Sequence, residues 1–262
     1  MKTAKETDIV FDRRKPLAKR LIKNTLSAIS AAALHGNKVR CNICQHTFRR
    51  FIKASNMSQL NGKCPICGSK AADRILWLYL QNEVTASKTK KRHLFFEHNT
   101  FIAEKILNMD LQVDIVSFEG TFQADKIFNE KIKERKYDVI IFAHLLEKTE
   151  DEQYALAKLR NLLRNGGYLL IMTIVNQHMD RTYEKPATSE DKERLGRFYV
   201  RGVKRVYGSN VAKHLAKAGF EVEAIDYADQ LGNAARTYYQ LGEDSEEIIY
   251  KCKKIDKQYG TN

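Results

Sequence analysis

Residues 138–175 read DVIIFAHLLEKTEDEQYALAKLRNLLRNGGYLLIMTIV, and the order of patterns inside this stretch decides the fold class. It opens with a short apolar run at Asp138–Phe142 and closes with another at Tyr168–Val175. Continuous runs of this length belong to strands buried on both faces. Between them, Leu156, Leu159 and Leu163 share one face of a predicted helix over Glu150–Arg164. Asn165-Gly166-Gly167 reads as its C-cap, since glycine adopts the left-handed conformation that ends a helix. Strand, helix, strand is the unit of a parallel α/β sheet.

The alternation continues on both sides. Upstream, His93–Glu97 and Val113–Phe118 read as strands, with helical stretches at Thr100–Asn108 and Lys126–Arg135. Downstream, a helix runs from Ser209, read as its N-cap, to Gly219, followed by strands at Phe220–Tyr227 and Glu246–Lys253. With no long helix between the last two, the sheet should finish in an antiparallel hairpin. The expected fold is α/β, a Rossmann-like doubly wound sheet. Before it, Ile75, Leu76, Leu78 and Tyr79 form the apolar stripe of a helix over Asp73–Val84, and Thr85–Lys91 reads as a linker. Leu17, Leu21, Ile22, Leu26 and Ile29 mark a basic helix over residues 13–34, behind a polar tail at 1–12. The expected division is 1–37 for the basic tail and helix, 38–91 for a cysteine module with its connecting helix, and 92–262 for the sheet domain.

A chain of 262 residues with 43% hydrophobic content can bury one substantial core and a small satellite. It contains no apolar run of about 18 residues, so no membrane span is expected. Met1–Lys23 is charged throughout, without the apolar segment of a secretory signal, which points to the cytoplasm. The net charge of +13 is uneven: residues 1–93 hold 20 Lys and Arg against 5 Asp and Glu, and the remainder 25 against 27. Such a face suits a polyanion, whether nucleic acid, anionic glycan or lipid surface, or else serves as a solvated surface.

Four of the five cysteines form two pairs, Cys41-Asn42-Ile43-Cys44 and Cys64-Pro65-Ile66-Cys67. Each pair supplies two thiolates from one tight turn, and two such turns at this separation close the tetrahedron of a zinc ribbon. Four soft ligands leave no open coordination position, so the expected zinc is structural. Cys252, inside a predicted strand, reads as a core residue.

In a doubly wound sheet, ligands lie beyond the carboxyl ends of the strands. The residues at those ends are therefore the candidates. Glu97, His98 and Asn99 follow the first strand, and Glu119 follows the second, where a carboxylate can accept both ribose hydroxyls. Asp125 is placed to accept from an adenine amino group, and His144 stands after Phe142-Ala143. In the loop after Val175, His178 is a candidate general base beside Asp180, Tyr183 and Glu184.

The segments Lys136–Glu147, Glu152–Leu156 and Leu163–Leu170 resemble the fourth- to fifth-strand region of class I S-adenosylmethionine-dependent methyltransferases. More narrowly, the chain resembles bacterial-type members with an N-terminal zinc ribbon. Cys64–Ser69, Trp77-Leu78-Tyr79-Leu80, Thr182-Tyr183-Glu184, Arg205-Val206-Tyr207-Gly208, Ala218–Val222 and Tyr239-Gln240-Leu241 all fit, and the likeness covers about residues 36–254. It implies S-adenosylmethionine as donor and a saccharide or other small metabolite as acceptor. It also implies roles at the acceptor for Tyr183 and Glu184, and that Glu147 matches the acidic residue after this strand.

The chain departs from that pattern at two points. His98-Asn99 stands where the glycine-rich loop, or a Pro-Glu pair, is usual. Gly202-Val203 stands where the relatives tend to carry Asp-His. Two further readings follow. RNA is a rival acceptor, favoured by the basic N-terminal third and by Phe48, Phe51, Trp77 and Tyr79. The other is a methyltransferase-like fold without chemistry, acting as a nucleic-acid-binding or assembly subunit.

Overall fold

The computed structural model describes residues 29–53, 61–86, 91–96, 100–109, 112–117, 123–124, 127–128, 132, 136–185, 188–198, 203–243 and 247–255. The apolar runs become strands because their residues are buried on both faces of one sheet. That sheet holds β3 (Arg92–Phe96), β4 (Gln112–Val116), β5 (Tyr137–Ala143), β6 (Leu163–Ile174), β9 (Phe220–Ile225) and β10 (Glu247–Lys254). A hairpin of β1 (His35–Arg40) and β2 (Thr47–Phe48) precedes it, and a short ladder of β7 (Tyr183–Glu184) and β8 (Arg205–Val206) branches from it. The sheet order is β4-β3-β5-β6-β10-β9. The pairs β3–β4, β3–β5 and β5–β6 are parallel, whereas β10 runs antiparallel to both β6 and β9. The expected doubly wound sheet with an antiparallel end is thus present.

The helices are α1 (Ala71–Ala86), α2 (Thr100–Leu107), α3 (Glu152–Leu162), α4 (Ser189–Leu195), α5 (Val211–Lys217), α6 (Tyr227–Gln230) and α7 (Gly232–Tyr239). Two local expectations need correction. Asn165-Gly166-Gly167 does not cap α3. The helix stops at Leu162, Leu163 is extended, and the glycines lie inside β6 at an irregularity opposite Tyr137 and Val139. A Cβ on Gly167 would stand 3.0 Å from the Asp138 carbonyl oxygen, so close approach of β5 fixes that glycine. The N-cap of α5 is Asn210 rather than Ser209, and its side chain makes no capping bond. As expected, no long helix separates β9 from β10; two short ones, α6 and α7, join them.

Residues 29–33 are helical, in line with the end of the expected basic helix; residues 1–28 lie outside the described residues, as do most of 126–135. Two apolar clusters cover the two faces of the sheet. One joins Leu94, Phe96, Ile140, Phe142, Leu156, Leu159 and Leu215. The other runs without a break from the cysteine module (Val39, Ile43, Phe48, Phe51) through α1 (Ile75, Leu76, Trp77) to Phe95, Val139 and Ile249. The cysteine module therefore packs on the sheet as part of its core.

This packing removes one support for the RNA reading. Phe48, Phe51, Trp77 and Tyr79 are all buried, with at most 5% of their surface exposed, and none offers a face for base stacking. No helix of the described residues is long and apolar enough to cross a membrane.

Candidate functional site

Two tight turns build the metal centre. In the first, the Gln45 N–H donates to the Cys41 carbonyl (2.8 Å) and the Cys41 N–H to the His46 carbonyl (2.9 Å). The second repeats this with Gly68 N–H to Cys64 carbonyl (3.0 Å) and Cys64 N–H to Ser69 carbonyl (2.9 Å). Gly68 has φ of +72°, the left-handed conformation such a turn needs. The four sulfurs lie within 4.8 Å of one another, with Cys41–Cys67 at 3.5 Å and Cys44–Cys64 at 3.6 Å. A zinc–sulfur tetrahedron with bonds of about 2.3 Å needs sulfurs about 3.8 Å apart. The donor set and its geometry fit zinc.

Arg74, in the first turns of α1, anchors this centre to the sheet. Its side chain is fully buried and its guanidinium lies 4.6 Å from the Phe51 ring centroid. It donates to the carbonyls of Ser69 (2.7 Å), Gly62 (2.9 Å) and Gln240 (2.5 Å). Gln240 caps α7 in the left-handed conformation. Asn42, inside the first cysteine turn, donates to the Arg74 carbonyl at 2.8 Å. Burial pulls the guanidinium down to about 10, against the pull of the nearby cysteine sulfurs, so it stays charged at neutral pH.

The second site lies along the C-terminal edge of the sheet. His144 follows β5 with φ of +53°, held by its N–H to the Met172 carbonyl at 2.8 Å. Its imidazole lies between two carboxylates: Nδ1 is 3.6 Å from Glu147 Oε1 and Nε2 is 3.4 Å from Glu247 Oε2. Thr173 Oγ1 donates to the other Glu147 oxygen at 3.1 Å. Burial works against the charged imidazole, but Glu247, Glu147 and, farther off, Asp73 of α1 outweigh it and raise His144 to about 9. Glu147 is correspondingly lowered: burial opposes its charge, and the hydrogen bond with His144 prevails. His144 is thus an imidazolium at neutral pH, unsuited to act as a base. Because its pKa is raised from about 6.5 on folding, its stabilising contribution is complete below pH of about 6.5 and is lost as pH rises through about 9.

The remaining sequence candidates fall into two groups. Glu97, His98, Asn99, Glu119 and Asp125 lie outside the described residues; they follow the described C-terminal ends of β3 at Phe96 and β4 at Val116 in the chain. His178, Tyr183 and Glu184 lie in an excursion off the end of β6. His178 is exposed, and its N–H donates to Asn176 Oδ1 at 3.1 Å. The Tyr183 hydroxyl donates to Asp191, which raises its pKa, and Arg194 lies 5.2 Å from its ring centroid. Glu184 pairs with Arg205 at 3.2 Å. Both family-matched side chains bond within the excursion.

Sequence reading passed over Glu247, Asp73 and Arg205. Glu247 was within reach of it. In a last strand that runs antiparallel, the first residue lies at the edge where its neighbours end, and Glu247 pairs with Ile174 there. Asp73 has only a local signal, its carboxylate accepting from the Lys70 N–H (2.8 Å) at the start of α1.

A family model described as a methyltransferase domain matches residues 92–225, about half of the chain. Among solved structures, the chain is similar to a possible histamine N-methyltransferase from Thermotoga maritima, described as S-adenosylmethionine-dependent. The two share 15% identity, 70% of this chain and 92% of that one are covered, and the TM-score is 0.40. The 1,6-didemethyltoxoflavin-N1-methyltransferase of Burkholderia thailandensis, solved with S-adenosylhomocysteine, is 13% identical over 71% and 79% of the two chains, with a TM-score of 0.43. The [4+2]-cyclase SpnF is 12% identical over 91% and 94%, at 0.45. No curated protein matches the chain.

Proposed function

Because the chain belongs to the methyltransferase-domain family, we propose that it transfers a methyl group from S-adenosylmethionine to an acceptor held at the C-terminal edge of its sheet. The observation that carries this is the family match itself, which runs from β3 to β9 and takes in the C-terminal ends of β3, β4, β5 and β6. When bound, S-adenosylmethionine supplies an electrophilic sulfonium methyl, so the chain's own task is alignment and proton uptake. Glu119 is assigned to accept the ribose hydroxyls and Asp125 the adenine amino group. Glu97, His98 and Asn99, next in sequence after β3, are assigned to the donor. Asn99 tolerates the left-handed conformation better than most residues. One imidazolium between two carboxylates at His144 leaves this part of the edge net negative, which suits a cationic donor. His178, exposed at the base of the excursion, is assigned to take up the acceptor's proton, with Tyr183 and Glu184 shaping the acceptor side. A saccharide or other small metabolite is the proposed acceptor class. Zinc is assigned a structural role.

The test is titration with S-adenosylhomocysteine of the wild type and Glu119→Ala. A charged hydrogen bond contributes about 1.5–3 kcal/mol, so the variant should bind about tenfold more weakly or worse. Equal affinity would move the ribose site elsewhere. A second reading, a binding or assembly subunit without chemistry, is favoured by one observation: Tyr183 and Glu184 are engaged by Asp191 and Arg205.

We also propose the division 1–37, 38–91 and 92–262 as segments of sequence. The shared core argues against independent folding of the ribbon. The basic N-terminal third should bind a polyanion through charge alone. Affinity for RNA at low salt should fall steeply as salt rises, and alanine at Arg13, Arg14, Lys19 and Arg20 should weaken it. Equal binding by wild type and variant would remove the basic helix from this role.

A further inference from the structure

Residues 176–206 leave the sheet at the end of β6 and return beside it. Val175 bridges Tyr207 in parallel, and the Asn176 N–H donates to the Tyr207 carbonyl at 2.9 Å. The Ser209 N–H donates to the Met179 carbonyl at 2.7 Å, closing the neck. A Cβ on Gly208 would lie 2.4 Å from that same carbonyl, so only glycine fits there. Beyond the neck, β7 pairs with β8 and α4 follows β7.

One buried side chain joins this excursion to the turn after β5. Arg205, with 4% of its surface exposed, donates to the carbonyls of Leu146 (2.9 Å), Thr149 (2.8 Å) and Glu150 (3.2 Å). These carbonyls belong to a single 3-10 turn, Leu146–Lys148, and the two residues after it; that of Leu146 also accepts from the Thr149 N–H at 3.2 Å. Its remaining edge donates to Glu184 across the β7–β8 ladder at 3.2 Å. The neighbouring Lys204 N–H donates to the Glu147 carbonyl at 2.7 Å. Glu147 lies in that turn and His144 two residues before it; their side chains meet Thr173 and Glu247 at the sheet edge.

We propose that Arg205 is a positioning residue of this site: it ties the excursion to the turn after β5 and thereby fixes His144 and Glu147 against Glu247. The identification of this edge as the donor and acceptor site rests on the function proposed above; the tie itself does not. A planar guanidinium can satisfy several carbonyls and a carboxylate at once, which a lysine ammonium in the same place cannot match.

The test follows the imidazole of His144 by NMR against pH in the wild type, Arg205→Lys and Glu184→Gln, with the resonance assigned by its loss in His144→Asn. The groups that face the imidazole are Glu147 on its own turn, Glu247 on β10 and Asp73 on α1. In the wild type the midpoint should lie near 9. In Arg205→Lys the turn loosens, Glu147 withdraws, and the midpoint should fall by about one pH unit or more, the size of effect one adjacent carboxylate exerts. Glu184→Gln, on the exposed side of the tie, should move it in the same direction by less. Binding of S-adenosylhomocysteine should weaken about tenfold in Arg205→Lys. A folded Arg205→Lys protein with an unmoved His144 midpoint would overturn the proposal. If Arg205→Lys does not fold, an unmoved midpoint in Glu184→Gln does so instead. A wild type that ignores S-adenosylhomocysteine while the midpoint still moves would defeat the methyltransferase reading and leave the tie standing.

Discussion

Cys64→Ser should yield protein without zinc and without a cooperative unfolding transition at physiological temperature, whereas the wild type should carry about one zinc per chain. The four sulfurs converge within 4.8 Å, and Cys41 and Cys64 are almost wholly buried. Binding to such centres in small zinc modules contributes about 10–16 kcal/mol of apparent free energy. Whole domains are stable by only about 5–15 kcal/mol. Loss would stay local if the ribbon were an appendage, but Ile43, Phe48 and Phe51 belong to the same apolar cluster as Phe95, Val139 and Ile249. Unfolding the ribbon exposes one face of the sheet. Metal analysis together with thermal unfolding checks both parts. Full zinc content in Cys64→Ser, or a metal-free wild type prepared without chelator, would contradict the ribbon assignment.

Arg74→Ala should destabilise the protein by at least about 2 kcal/mol, because each of the two buried acceptors left without a donor costs about 1–3 kcal/mol. The carbonyls of Gly62 and Gln240 accept from this guanidinium, and that of Ser69 also accepts from the Cys64 N–H. Arg74→Met separates bulk from hydrogen bonding: it restores volume but no donor, and should recover less than half of the loss. Denaturant midpoints for the two variants, with zinc content measured alongside, provide the check. A loss below about 1 kcal/mol in Arg74→Ala would mean that the brace between ribbon and α7 is dispensable.

The contrast between these two features explains what the sequence discloses. The metal centre was legible because its chemistry is local: each turn declares itself within four residues. The brace was not, since Arg74 and Gln240 are 166 residues apart and an isolated arginine on a helix looks like a surface residue. The strands β3, β5 and β6 were legible because strands covered on both faces must be apolar at nearly every position. Asn165-Gly166-Gly167 misled because a glycine pair serves a helix end and a strand irregularity equally well. Only the pairing of β6 with Tyr137 and Val139 decides between them. The helix α6 has four residues, too few for any periodicity to register.

At the site, His144 was found by position alone, at the end of an apolar run. What the sequence hid was its charge state, which depends on Glu247 from a strand more than a hundred residues away. The same distance effect hid the occupation of Glu184 by Arg205, two residues that sequence comparison had placed in separate motifs. The aromatic residues of the ribbon looked available for base stacking because composition does not distinguish a platform from a core; their burial settles that point.

The central claim, that this fold binds a methyl donor at the C-terminal edge of its sheet, is tested most directly by calorimetric titration of the zinc-loaded wild type with S-adenosylmethionine and with S-adenosylhomocysteine. Measurable binding of both is expected, at modest affinity because His98 and Asn99 stand in the sequence after β3, where glycine is usual in such folds. No heat and no thermal shift at millimolar concentration of either ligand would contradict the claim and leave a methyltransferase-family fold that serves as a binding or assembly subunit.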